Sequence, residues 1–133
     1  MLPTIVPFYA AVLGLIFIFL SARVVVARRQ FRVRLGSGGH EILERRIRVQ
    51  GNFAEYVPLT IILLAFLELD GASRWLVHVL CIALILGRGL HAYCVSRTDE
   101  DIRQRRAAMI LTFGTLFIAA TGVVIYSGLR LFG

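Results

Sequence analysis

Residues 44–59 read ERRIRVQGNFAEYVPL, an arginine-rich segment that passes directly into an apolar run. At about 100° per residue, Arg48, Asn52 and Glu55 lie within about 60° of one another, so a helix carries all three on one face. The residues that follow, up to position 67, are almost all apolar, which is typical of a helix that crosses a membrane. Polar groups at membrane depth are costly, and they therefore face a bundle interior or a wet cavity. This stretch predicts a membrane-spanning helix with a polar binding stripe.

The composition of the whole chain is typical of a membrane protein. The chain has 133 residues, enough for one domain, and 58% of them are hydrophobic. All fifteen basic residues are arginine, and the formal net charge is +7. Such a charge also occurs in nucleic-acid-binding proteins, but here the arginines cluster at the ends of apolar segments. Membrane topology and anionic ligands account for that pattern better, so we expect no nucleic-acid partner.

Four apolar segments are each long enough to cross the hydrocarbon layer of about 30 Å, which needs about 20 helical residues. The predicted spans cover residues 5–26, 49–69, 73–95 and 107–129. Polar segments at residues 27–47 and 96–106 separate the first span from the second and the third from the fourth. The sequence thus predicts an all-α, antiparallel four-helix membrane bundle that forms a single domain, residues 1–133.

The polar segments carry signals for a loop and for helix starts. The tract GSGG at residues 36–39 predicts a loop, and it resembles a phosphate cradle only superficially because no lysine follows it. The second helix is expected to begin near His40. The fourth helix is expected to have its N-cap at Thr98 or Asp99, both of which are residue types that accept hydrogen bonds from the first helical turn.

The distribution of arginines predicts the orientation in the membrane. Residues 28–48 contain seven arginines and residues 97–106 contain four, whereas the opposite side has only Arg74 and Arg130. Because basic loops stay in the cytoplasm, both arginine-rich segments are predicted to be cytoplasmic and both termini periplasmic. The arginine-only basic set and the lack of a eukaryotic retention tail favour a bacterial inner membrane.

The cysteines and histidines predict neither a disulfide nor a metal site. Cys81 and Cys94 have no zinc-ligand or CxxC spacing and lie about 220° apart on a helix, so we expect two buried thiols. The three histidines lack HExxH or related spacing. His78 is expected to pack between helices or to bridge them. His91 shares a helix face with Arg88, and it lines either a pocket or the interface.

Four groups of polar residues are predicted to converge at the cytoplasmic ends of the spans. The groups are Arg28 with Arg29, the stripe Arg48–Asn52–Glu55, Arg88 with His91, and Arg103 with Arg105 and Arg106. Arginine forks bind carboxylates bidentately, so a ligand suited to this set is an anion with an amino group for Glu55. Glutathione has these groups and a thiol whose reactive thiolate an arginine would stabilise. The arginines also fit a role as topology signals alone, and Arg88 fits a structural pairing with Glu55, so spacing does not single out glutathione.

Motifs in all four helices extend this pattern. They are Ala27-Arg28-Arg29-x-Phe31-Arg32-Val33, Arg48-x-x-x-Asn52-x-x-Glu55-Tyr56-x-Pro58-Leu59, Gly87-Arg88-x-x-His91 and Arg105-x-x-Ala108-Met109-x-Leu111-Thr112. Together, and in this order over residues 20–125, they resemble the membrane-associated proteins in eicosanoid and glutathione metabolism, the MAPEG family. The fourth motif is similar to that of bacterial members, although glycine is commoner there at the position of Ala108.

The resemblance implies a homotrimer of four-helix protomers, with glutathione as cosubstrate bound between subunits near the cytoplasmic face. By position, the glutathione-binding residues would be Arg48, Gln50, Asn52, Glu55, Tyr56 and Arg88, with His91 and Tyr93 as further candidates. Arg105 or Arg106 would activate the thiol, and Arg29 would assist acid–base chemistry. Synthase branches of the family place a tyrosine where this chain has Val95, which argues against eicosanoid synthase specificity.

The predicted function is that of a glutathione-dependent transferase or peroxidase acting on lipophilic electrophiles. Its expected partners are further copies of the chain, membrane lipids and a lipophilic substrate, and no metal is expected. The alternative is a non-catalytic member of the same fold that binds lipid or a membrane partner. The presence of both the Arg48–Asn52–Glu55 stripe and Arg105 favours the enzyme, because a lipid binder has no need of a thiolate stabiliser. A third possibility is a small membrane protein whose arginines only set topology.

Overall fold

The computed structural model describes residues 2–133, which form four α-helices and no strand. The helices are α1 (Val6–Phe31), α2 (Glu41–Leu69), α3 (Arg74–Val95) and α4 (Ile102–Phe132). Each is long and apolar enough to cross a membrane. The shortest, α3, has 22 residues and therefore extends about 33 Å, which matches the hydrocarbon thickness of about 30 Å. The predicted all-α, four-helix membrane bundle is confirmed.

At the arginine-rich end, α1 and α2 extend beyond the predicted spans. α1 continues to Phe31 rather than ending at residue 26, and Arg32 caps it in the left-handed conformation with φ of 56°. α2 begins at Glu41, within one residue of the predicted start near His40. Apolar composition marks only the part of a helix that lies in hydrocarbon, and both helices emerge from that layer without unwinding. The polar connection therefore shortens from residues 27–47 to residues 32–40.

The start of α4 differs from the prediction. The helix begins at Ile102, and its N-cap is Asp101, whose carboxylate accepts a hydrogen bond of 2.8 Å from the backbone N–H of Arg103. Thr98 and Asp99, the predicted N-caps, lie in the preceding connection. Asp99 and Asp101 are both of a residue type favoured at the N-cap, and the helix begins after the second of them.

α2 and α3 form the centre of the bundle. Each packs against the other three helices, whereas α1 contacts α2 and, more lightly, α3, and α1 does not contact α4. Apolar side chains from all four helices form one core, including Leu13, Leu20, Phe53, Leu64, Leu84 and Ala119. The outer faces of α1 and α4 expose large apolar residues such as Phe8, Phe19, Ile110 and Phe117, as expected of helices that face lipid.

The closest helix pair is α3 with α4, and small residues make this approach possible. Ala108 and Ala119 of α4 are completely buried. Opposite them, Gly87 of α3 lies so close to α4 that an added Cβ would be 3.1 Å from the carbonyl oxygen of Ala108 and 2.9 Å from Oγ1 of Thr112. Small residues on both helices therefore permit this close packing.

At the opposite end of the bundle, Glu68 of α2 holds the start of α1. Its carboxylate accepts hydrogen bonds from the backbone N–H groups of Thr4 at 2.7 Å, Ile5 at 2.8 Å and Val6 at 2.9 Å. No side chain within α1 caps this terminus. The first N–H groups of a helix lack intrahelical partners, so a carboxylate from the neighbouring helix satisfies them and complements the helix dipole.

The histidine and cysteine predictions for the spans agree with the structure. His78 of α3 bridges to α1, since its Nδ1 lies 3.0 Å from the hydroxyl oxygen of Tyr9. Cys81 and Cys94 are both free and buried. The prediction of a helix-bridging histidine and two separate buried thiols is confirmed.

The contact between α3 and α4 predicts a difference between two glycines of α3. Gly87→Ala places a methyl group against the α4 backbone, and we expect a loss of about 1–3 kcal/mol of stability. Gly89→Ala is the matched control, because a Cβ at that position meets nothing within 4 Å. Alanine favours helix by about 1 kcal/mol over glycine, so this variant is expected to be neutral or stabilised. Thermal unfolding in detergent tests the pair, and equal midpoints would contradict the packing described.

Candidate functional site

A buried arginine joins three helices in the half of the bundle towards the arginine-rich end. Arg88 of α3 is 1% exposed. One terminal nitrogen, Nη1, donates to Oδ1 of Asn52 on α2. The other, Nη2, donates to Oγ1 of Thr112 on α4 at 2.5 Å and lies 3.6 Å from the sulfur of Met109. The guanidinium carbon also lies 5.8 Å from the ring centre of Tyr56.

The partners of Arg88 within the protomer are all neutral. Among the ion pairs of residues 2–133 none involves Arg88, and its Nε has no hydrogen-bond partner in the described part of the chain. Burial of a cation without a counter-ion is costly, and amide, hydroxyl and aromatic partners offset only part of that cost. The arrangement therefore favours an anionic group near Arg88. Pairing with Glu55, one of the interpretations of the sequence, does not occur within the protomer.

The three residues of the α2 stripe have different surroundings. Asn52 is half-buried and points to Arg88, whereas Arg48 and Glu55 are exposed on α2. Glu55 forms neither an ion pair nor a side-chain hydrogen bond with any described residue. Its carboxylate is thus available to a group from outside the protomer. Tyr56, the next residue, packs edge-on against Phe113 of α4, with ring centres 5.2 Å apart.

Arg48 and Arg105 line the same cavity, although 57 positions separate them in the sequence. The cavity has a volume of about 250 Å³ and lies at the arginine-rich end, between α2, the end of α3 and the start of α4. Its lining consists of Glu41, Glu44, Arg45, Arg48, Val95, Glu100 and Arg105. Asn52, which binds Arg88, is one turn further along α2 from Arg48, and neither Asn52 nor Arg88 lines this cavity.

Glu100 organises the charges of this cavity. Its Oε1 lies 2.8 Å from Nη1 of Arg105, and its Oε2 lies 3.3 Å from Nη1 of Arg45. Arg45 also contacts Glu41 at 2.9 Å and donates to the carbonyl oxygen of Val95 at 3.3 Å. The side chain of Glu100 is 17% exposed and that of Arg105 is 48% exposed. Arg105 thus has a carboxylate partner and remains accessible to a ligand.

Most of the remaining predicted site residues lie apart from these groups. Arg29 and Arg106 are exposed at the ends of α1 and α4, and Gln50 is half-buried on α2. His91 is buried one turn from Arg88. Tyr93 is 56% exposed, and its hydroxyl accepts a hydrogen bond of 2.6 Å from Arg97. Tyr93 therefore lies on a different face of α3 from Arg88.

The connection before α4 has its own ion pair outside the spans. Arg97 donates to both carboxylate oxygens of Asp99, at 2.9 and 2.6 Å. These hydrogen bonds hold the pKa of the Asp99 carboxyl below its ordinary value.

No group of three or more histidine, cysteine, aspartate or glutamate side chains in residues 2–133 is arranged to hold a metal ion.

Sequence reasoning missed two residues of the site. Thr112 belongs to the quoted motif of α4 without a predicted role, and its hydroxyl accepts from Arg88 while donating to the carbonyl of Ala108 at 3.0 Å. Glu100 lies in a segment predicted only as a polar connection. Its nearest signal is its position in the acidic run 99–101, between Arg97 and Arg103, and that signal does not specify a partner.

Comparison with known proteins agrees with this architecture. The model of the MAPEG family matches residues 6–125, which include all four helices except the end of α4. The chain is 38% identical over 110 residues to the inner membrane protein YecN of Escherichia coli strain K12, covering 83% of this chain and 82% of YecN. The same values hold for YecN of Escherichia coli O6:H1. This chain is an integral membrane protein that belongs to the MAPEG family.

Proposed function

We propose that the protein is a glutathione-dependent transferase or peroxidase that acts on lipophilic electrophiles in the membrane. The observation that carries this proposal is that Arg48 of α2 and Arg105 of α4, distant in sequence, line one cavity at the arginine-rich end. Asn52, one helical turn along α2 from Arg48, binds the buried Arg88. A small anion with a reactive thiol suits the site, and an apolar cosubstrate would approach from the bilayer.

The roles of the α2 and α3 residues follow from their charges. Arg48 and Arg88 would bind the two carboxylates of glutathione, since arginine forks match carboxylates bidentately. Asn52 would hold Arg88 in place and donate from its amide group. Glu55 would bind the α-ammonium group, and it has no partner among the described residues that would compete. Gln50, Tyr56 and His91 would complete the walls of the site, with Tyr93 at its edge.

Arg105 is the residue proposed to act on the sulfur. A guanidinium next to the thiol favours the thiolate, which is the nucleophile. In the transferase reaction the thiolate attacks an electrophilic carbon, a C–S bond forms, and the leaving group departs with its electron pair. In the peroxidase reaction two glutathione molecules reduce a hydroperoxide to an alcohol and water, and they become the disulfide. Arg29 would assist proton transfer if a second subunit brings α1 near the sulfur.

Assembly as a homotrimer is part of the proposal. Glu55 is exposed, and Arg29 lies away from the cavity of its own protomer, so a site that uses both residues needs a neighbouring copy. The outer faces of α1 and α4 offer apolar surface for such packing.

We further propose that the protein is located in a bacterial inner membrane, because its relative YecN is named as an inner membrane protein. The arginine-rich end would be cytoplasmic and both termini periplasmic, as the asymmetry of arginines favours.

One observation supports the alternative of a non-catalytic lipid binder. Between α1 and α2 lies an apolar groove with a volume of about 230 Å³, lined by side chains that include Phe17, Phe53 and Pro58. An acyl chain fits such a groove. In a lipid binder, the only role of Arg105 would be to form the ion pair with Glu100.

Glutathione binding by calorimetry on detergent-purified protein is the direct test. We expect binding in the micromolar to millimolar range, and we expect Arg48→Ala/Glu55→Ala to weaken it at least about tenfold, because each charged hydrogen bond is worth about 1.5–3 kcal/mol. Arg74→Ala is the matched control, since Arg74 is exposed at the opposite end of the bundle. Failure of the unmodified protein to bind glutathione would overturn the proposal and favour the lipid binder.

The choice between the two arginines at the start of α4 can be tested by comparing Arg105→Ala with Arg106→Ala. Both variants remove one charge, but only Arg105 lines the cavity. We expect Arg105→Ala to lower kcat for a chloronitrobenzene electrophile by about 100-fold, the usual effect of removing one preorganised stabilising group. It should also raise the pKa of the bound thiol, as followed by ultraviolet absorbance of the thiolate. A larger effect from Arg106→Ala would reverse the assignment.

A further inference from the structure

The end of α1 forms a basic depression that is separate from the Arg48–Arg105 cavity. It has a volume of about 510 Å³, and its lining consists of Val25, Arg28, Arg29, Arg32, Val33 and Arg34. No acidic residue occurs between position 28 and position 40. The segment therefore places four positive charges around one concave surface.

None of the four arginines that line this depression has a carboxylate partner among the described residues. Within residues 2–133, ion pairs are formed by Arg45, Arg97, Arg105 and Arg130. Arg29, Arg32 and Arg34 are exposed, so their guanidinium groups are free to bind an external anion.

The depression is built on an ordered frame rather than on a loose loop. Nη1 of Arg28 donates to the carbonyl oxygens of Arg34 at 3.3 Å and Gly36 at 2.9 Å, which folds the chain back over the end of α1. The rings of Phe31 and His40 stack with centres 4.3 Å apart and close the base of the loop.

The glycine tract, which has no predicted role beyond forming a loop, completes this frame. Gly36, Gly38 and Gly39 all have positive φ, from 58° to 79°. A Cβ on Gly38 would lie 2.7 Å from the Val33 side chain, so glycine permits the close approach of the loop to the end of α1. Arg28 and the glycines thus fix the backbone that carries Arg32 and Arg34.

The position of the depression relative to the bilayer indicates which anion it meets. Residues 6–26 contain a single charged residue, Arg23, and at 1.5 Å per residue they extend about 30 Å, the thickness of the hydrocarbon layer. Arg28 to Arg34 therefore lie at the level of the lipid headgroups. Val25 and Val26 are 49% and 59% exposed just below them, where acyl chains begin.

We propose that this depression binds the phosphate headgroup of an anionic phospholipid, with Arg32 and Arg34 as its principal ligands. Arginine forks match phosphate oxygens bidentately, and Arg29 at the rim adds a third positive charge. Val25 contacts the glycerol and first acyl carbons of the same lipid. Inorganic phosphate shares the headgroup chemistry but lacks the acyl chains that the exposed valines accommodate. Arg32 and Arg34, the principal ligands, have no role in the proposed binding of glutathione, whereas Arg29 belongs to both proposals.

The test is titration of detergent-solubilised protein with phosphatidylglycerol or phosphatidylcholine, with bound lipid counted by native mass spectrometry. We expect phosphatidylglycerol to bind at least about tenfold more tightly than phosphatidylcholine. Arg32→Gln/Arg34→Gln should weaken phosphatidylglycerol binding about thirtyfold, which corresponds to about fivefold for each arginine near an anionic headgroup. Arg74→Gln/Arg103→Gln is the matched control, because it removes the same charge from exposed arginines without ion pairs, and it should bind as the unmodified protein does.

The outcomes that would overturn the proposal are distinct. Equal loss of binding in the two double variants would show attraction by net charge rather than a site. Unchanged binding in Arg32→Gln/Arg34→Gln would place the lipid elsewhere. Competition by inorganic phosphate at the same affinity would identify an ion site instead of a lipid site.

The variant Arg32→Lys/Arg34→Lys retains the charge and the fold. It should lose part of the affinity for phosphatidylglycerol, because lysine cannot bind phosphate bidentately.

Discussion

The burial of Arg88 is the constraint on which the site depends. A guanidinium that is 1% exposed holds Asn52 of α2 and Thr112 of α4 from its position on α3, and therefore fixes the relative positions of three helices. All of its partners in the protomer are neutral, so the cluster retains a positive charge in an apolar bundle. Gly87, directly before Arg88, lets α4 come close enough for Thr112 to reach the guanidinium. The close packing of α3 with α4 and the charged cluster thus both depend on the adjacent residues Gly87 and Arg88.

The same end of the bundle contains a second layer of charges, outside the hydrocarbon. There Glu100 links Arg105 of α4 to Arg45 of α2, and Arg45 in turn holds the carbonyl of Val95 at the end of α3. This network lines the cavity that Arg48 and Arg105 share. An anionic ligand would compete with Glu100 for Arg105, so the carboxylate positions this arginine when no ligand is bound. α1 takes no part in either layer, and its arginine-rich end, with the ordered glycine tract, forms the separate basic depression.

The sequence predicted the number, order and class of the helices because an apolar segment of about 20 residues has the length that a helix needs to cross the hydrocarbon layer. It placed the ends less well at Phe31 and Ile102, because hydropathy reports the lipid boundary and not the point where helical hydrogen bonding starts or stops. That Arg48 and Arg105 line the same cavity was expected, because both lie at the same end of the bundle. The roles of Glu68 and Glu100 were not predictable, since each carboxylate acts on a helix distant in sequence and only tertiary packing brings the partners together.

The most direct test of the account is the thermal unfolding midpoint of the detergent-purified protein with and without glutathione, compared with that of Arg88→Met. Methionine fills a similar buried volume without charge, so this variant is expected to fold as a four-helix bundle. A ligand at 100 times its Kd stabilises the protein that binds it by about 2.7 kcal/mol. The account predicts that glutathione raises the midpoint of the unmodified protein and leaves that of Arg88→Met unchanged. An equal rise in both proteins, or no rise in either, would contradict the role assigned to Arg88.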